Sequence, residues 1–163
     1  MQQKRSPFIS RFTKYLLLAE QVLLGVLIIS ILLAFLNIES SNLMQLCLIG
    51  LAGVFFLNAY KPLNIQQSEN EKLGMADLLV STILPKVIWI SCSVSAIGIL
   101  FYLRQDAPQS YQSMLTIGGG SLFVGLLLAG IFTLAGAKNA DALQPIFLRA
   151  IPLLLIDAFI LFK

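Results

Sequence analysis

The chain has no histidine, and its two cysteines, Cys47 and Cys92, lie inside apolar stretches with no CxxC partner. The first absence removes the usual zinc ligand, the usual general base and the usual pH switch. The cysteines read as small apolar filler, not as a disulfide or a redox pair. Charge is scarce as well, at 12% of residues, whereas soluble domains carry roughly 25%. Ala107 to Ala137 holds no charged residue, and neither does Ser40 to Tyr60. No catalytic motif, metal-ligand set or cofactor fingerprint appears, so no catalytic, metal or cofactor-binding residue is assigned and no cofactor is expected. The glycine run Gly118-Gly119-Gly120 has no lysine after it, which excludes a phosphate loop.

What is present in abundance is apolar sequence. Hydrophobic residues make up 58% of the 163 residues, and the mean hydropathy is +0.87. About 20 apolar residues at ~1.5 Å each cover a ~30 Å hydrocarbon core. The lengths predict an all-α polytopic membrane bundle forming a single domain over 1–163. Its spans are 14–36, 43–60, 78–103, 114–136 and 143–162. The count is five, or four if the last segment lies in the interface. Asp77 is placed to cap the third span. The N-terminal stretch has the basic start of a secretory signal, but Tyr15 to Leu36 is too long for one and holds Glu20, so an uncleaved first helix is expected.

Basic residues set the orientation. Lys4, Arg5, Arg11 and Lys14 precede the first span, Lys61 and Lys72 lie in the second link, and Lys138 in the fourth. The first link has no basic residue, and the third has Arg104. An N-terminus in the cytoplasm and a location in the inner membrane follow. The net charge of +3 comes mostly from the tail and is no nucleic-acid signature. The partners expected are the lipid bilayer and another membrane protein or a second copy of the chain, with no nucleic acid.

A candidate parallel repeat of helical hairpins is visible. Leu33-Ala34-Phe35-Leu36 aligns with Leu100-Phe101-Tyr102-Leu103, and Ile49-Gly50 with Ile117-Gly118, one insertion reconciling the two offsets.

Charges inside spans cost at least ~2.5–3.5 kcal/mol each near the centre. Glu20, Lys86 and Arg149 share a shallow depth, which points to an ion pair of Glu20 with Arg149 or Lys86, or to snorkelling. Asp157 lies deeper, 12 residues or ~18 Å past Pro145, with Ser91, Ser93 and Ser95 as available partners. Small residues mark packing seams: Ser91, Ser95 and Gly98 on the third span, Ser121, Gly125 and Ala129 on the fourth. Trp89, Tyr15, Tyr60 and Tyr102 sit where interfacial anchors sit.

The hairpin Gly98 to Phe101, a link with Pro108, then Met114 to Gly118 resembles a pattern in small multi-span membrane proteins of Bacteroidetes. That group includes the L subunit of the gliding-motility and type IX secretion motor. The resemblance covers about 30 residues. In that subunit a membrane-buried glutamate and a partner protein's helix form a proton-driven motor, which by resemblance would implicate Glu20. Here Arg104-Gln105-Asp106 replaces the usual His-Trp of the link. The leading expectation is a structural or accessory subunit and not an enzyme. A small transporter or proton-conducting component using Glu20 or Asp157 is the alternative, and a lipid-acting enzyme ranks third.

Overall fold

A computed structural model describes residues 7–36, 41–61, 79–105, 108–135 and 143–163. Among these, the chain is all-helical: α1 (Pro7–Phe35), α2 (Ser41–Asn58), α3 (Leu84–Leu103), α4 (Pro108–Leu134) and α5 (Gln144–Leu161), with a π-helical turn at Leu79–Ile83 before α3. No strand occurs among the described residues. This is what apolar sequence must do away from water, because a helix satisfies its backbone polar groups internally. Among the described residues, four helices are long and apolar enough to cross a membrane: α1, α2, α3 and α4.

The boundaries depart from the sequence reading at the starts of three helices. Helix α1 begins at Pro7, seven residues before Lys14. Helix α4 starts at Pro108, six residues before Met114, since proline is suited to a helix's first turn, where no N–H is needed. The third span does not run as one α-helix from Leu78: a π-turn at Leu79–Ile83 precedes α3. Pro85 accounts for the break. It has no N–H for the carbonyl of Ser81, and its ring crowds that carbonyl, so the wider turn relieves the clash. Asp77, expected to cap this span, lies outside the described residues; α3 itself begins with Ile83 as N-cap and no side-chain cap.

The helices pack in antiparallel succession around α3. Leu23 of α1 meets Gly50 of α2. Between α2 and α3, the Ser93 hydroxyl donates to the carbonyl of Ala52 at 2.8 Å, and Phe55 lies 5.7 Å from Trp89, ring centre to ring centre. Between α3 and α4, Ile88 meets Gly125, Ser95 meets Gly118 and Leu115 meets Gly98. Helix α5 lies along both α3 and α4. The buried share of each candidate span follows this order: 56% for α3 and 17% for α1, so α3 is the axis and α1 the periphery.

Candidate functional site: two buried acids

Glu20 and Asp157 are 2% and 1% exposed. Each is built by different neighbours.

Glu20 sits where four helices meet. Arg149 Nε of α5 forms an ion pair with Glu20 Oε1. Asn58 Nδ2, at the end of α2, donates to Glu20 Oε2 at 3.4 Å. The Arg149 guanidinium lies 5.8 Å from the centre of the Trp89 ring of α3, within cation–π range. Arg149 Nη1 also donates to the carbonyl of Pro145 at 2.7 Å. The arginine's planar fork therefore serves a carboxylate, a carbonyl and an aromatic face together, which a lysine could not do. Lys61, just past α2, is within electrostatic reach of both Glu20 and Arg149. Burial pushes its ammonium below the ordinary lysine range; Glu20 acts against that and Arg149 with it.

The other sequence candidates fall as follows. Lys86 points outward and, among the described residues, makes no ion pair, so Arg149 alone pairs with Glu20. The Ser91 hydroxyl lies 2.9 Å from that of Ser121, and Ser91 also reaches the carbonyl of Val87 at 2.8 Å. Ser93 is committed to Ala52. Neither is therefore a partner for Asp157. A side chain at Gly98, Gly118 or Gly125 would meet Leu115, Ser95 or Ile88 at 3.0 Å or less, and Ala129 is fully buried. Trp89 is not an interfacial anchor. It is 8% exposed, lying between Phe55 and Arg149.

Asp157 has a different setting. Neither of its carboxylate oxygens has a hydrogen-bond partner, nor does the hydroxyl of Ser95. The two side chains face each other without reaching hydrogen-bond geometry. Asp157 rests on the backbone of Gly119, where a methyl group would stand 3.2 Å from Oδ2. This level divides the apolar core. On one side lie Leu51, Phe55, Leu84, Ile88, Cys92, Leu122, Ile146 and Ala150; on the other lie Leu48, Ile99, Leu100 and Leu115. Helices α3, α4 and α5 each break their apolar run here, with Ser95, Gly118-Gly119 and Asp157.

Sequence reasoning did not single out Asn58, and it read Lys61 only as an orientation signal and Gly119 only as part of a glycine run. For Asn58 a signal existed: Asn58 and Glu20 are roughly equidistant from the link at 37–40, so an antiparallel hairpin brings them level. Among the described residues, no group of three or more His, Cys, Asp or Glu side chains converges to hold a metal. No protein-family model, no curated protein and no solved structure matches the chain.

Proposed function

We propose that this chain is a multi-pass inner-membrane protein acting as a structural or accessory subunit, its bundle packing with other membrane helices. The observation that carries the reading is the peripheral position of α1. Its outward face presents Leu17, Leu18, Val22, Ile28, Ile29 and Leu32, while its one acid is consumed by the bundle's own Arg149. A helix fixed at one level and apolar elsewhere is suited to contact lipid or a second protein. The pairing of Glu20 also speaks against the motor role that the Bacteroidetes resemblance would give it, since a carboxylate held by arginine is not free to cycle.

In the proposed topology the basic N-terminal tail is cytoplasmic and α5 crosses as a fifth span. Its course along α3 and α4 supports crossing over lying flat. A reporter fused after Lys163 should then be active outside the cytoplasm; cytoplasmic activity would reduce the count to four.

The test of function is purification in mild detergent with identification of what accompanies the chain. A stable complex of fixed stoichiometry, lost when bulky polar residues replace Val22 and Ile29, is expected. A lone oligomer that carries proton flux in liposomes would overturn the reading in favour of a proton-conducting component.

A further inference from the structure

The layer that divides the core contains an acid with nothing to neutralise it. Within α5, Arg149 is eight residues from Asp157, or ~12 Å along the helix axis, and is engaged by Glu20. Lys163 lies at the exposed end of the chain. On α3, Cys92 is the titratable group within electrostatic reach of Asp157, and it carries no positive charge. On α4, Pro108–Leu134 contains no charged residue, and its Tyr111 packs in the cluster beyond the layer. On α2, Cys47 is buried and free. Thus, among the described residues, no cation faces the carboxylate from any helix packed against it.

A bare carboxylate in such surroundings is not stable; the group takes up a charge-cancelling ligand. Two ligands would serve, a metal cation or a proton. The layer offers Oδ1, Oδ2 and the Ser95 hydroxyl, whereas hard cations take ~6 oxygen ligands. On the α4 side the carboxylate is closely packed, since a methyl group at Gly119 would stand 3.2 Å from Oδ2. A proton needs only one oxygen, and it supplies what the layer lacks: the neutral acid has an O–H to donate to Ser95 Oγ, or a carbonyl oxygen to accept from it.

We propose that Asp157 is a proton-binding site at the mid-level of the bundle, filled by one proton from water and partnered by Ser95. Binding converts the carboxylate to the carboxylic acid and nothing else is consumed. The seam between α5 and Gly119 of α4 is closed when the proton is bound. Release would leave a charge against apolar helices, and the layer must then open to admit water or a cation. The site therefore couples proton occupancy to the packing of α5 on α4. This inference does not depend on whether the protein is an accessory subunit.

The test uses the full chain in lipid nanodiscs, with infrared spectra recorded across pH. Wild type should show the carbonyl stretch of a neutral carboxylic acid at neutral pH. Asp157→Asn should lose that band and Glu20→Gln should keep it. If Asp157→Asn does not fold, wild type labelled with carbon-13 aspartate answers the same question. The chain holds Asp77, Asp106, Asp141 and Asp157, and one labelled carboxyl should remain neutral where the link aspartates ionise. A spectrum with every aspartate ionised at neutral pH overturns the proposal. So does stabilisation of wild type by sodium at constant ionic strength that Asp157→Asn abolishes, which would make the ligand a metal cation.

Discussion

Glu20 and Asp157 are equally buried and oppositely supplied. Around Glu20, Arg149, Asn58 and Trp89 come from three other helices. Around Asp157, the neighbours are a serine without a partner and a glycine backbone. The difference is one of depth. Glu20 lies level with the ends of α2 and α5, where long polar side chains can reach both the acid and the surface. Asp157 lies where α3, α4 and α5 are in mutual contact, and small residues there exclude any long cation. A paired acid joins helices permanently; an unpartnered one makes their packing conditional on a ligand.

The largest expected effect comes from removing one half of the pair. Arg149→Met leaves Glu20 enclosed without its counter-ion, and should cost about 3–5 kcal/mol. Glu20→Gln should cost less, about 1–3 kcal/mol, because the arginine side chain is 24% exposed against 3% for the glutamate and can turn outward. The double variant Glu20→Leu with Arg149→Met should return to within about 1 kcal/mol of wild type. Unfolding in mixed micelles measures all three. If Arg149→Met is no worse than Glu20→Gln, the clasp is not what holds α1.

Next come the glycines of the dividing layer. A methyl group at Gly118 would stand 2.8 Å from the Ser95 backbone nitrogen. Neither helix can yield there without separating, so Gly118→Ala should cost about 1–3 kcal/mol. Gly120, two residues further on, faces open space, and Gly120→Ala should gain about 0.5–1 kcal/mol from backbone entropy. Gly119→Ala should fall between them, since its methyl group would stand 3.2 Å from Asp157 Oδ2 and 3.3 Å from Asp157 Cβ, a looser contact than at Gly118. Equal effects at all three would mean that close approach does not shape this layer.

The smallest effect concerns Lys61. Its folded-state affinity for a proton is lowered by burial, so the folded chain binds fewer protons than the unfolded chain between the lowered and the ordinary lysine values. Stability should rise with pH across that window, and the penalty is fully present below it. Lys61→Met should therefore stabilise at neutral pH and converge with wild type at strongly alkaline pH. The gain should be about 0.5 kcal/mol or less, since a partly exposed amine is screened by water. Stabilisation that persists at alkaline pH would trace to packing instead.

Much of this was legible in the sequence, for physical reasons. Charge-free runs such as Ala107 to Ala137 have one stable solution without water, and α4 is that solution. The shared depth of Glu20 and Arg149 was readable because a helix has a fixed rise. What could not be read was rotation about each axis. Periodicity carries no signal when a helix is apolar on every side, so nothing marked Trp89 as inward or Lys86 as outward. The repeat shows the same limit. By the offset that pairs Leu33 with Leu100, the counterpart of Ser95 is Ile28. Ser95 is enclosed against Gly118, whereas Ile28 is 59% exposed and Gly50 meets Leu23 instead. Two hairpins with similar letters are packed in different registers, because α3 is surrounded and α1 is not.

The clasp on Glu20 joins α1 to α5, across a separation of 129 residues. A ribosome adding ~5–20 residues per second needs roughly 6–26 s to cover that distance. Through that interval the acid of α1 is in place and its arginine does not yet exist. Asn58 arrives earlier and can offer one amide in the meantime. Helix α5 is thus the element that ties off α1, and a nascent chain stalled before Arg149 would carry an unmet charge on its most peripheral helix.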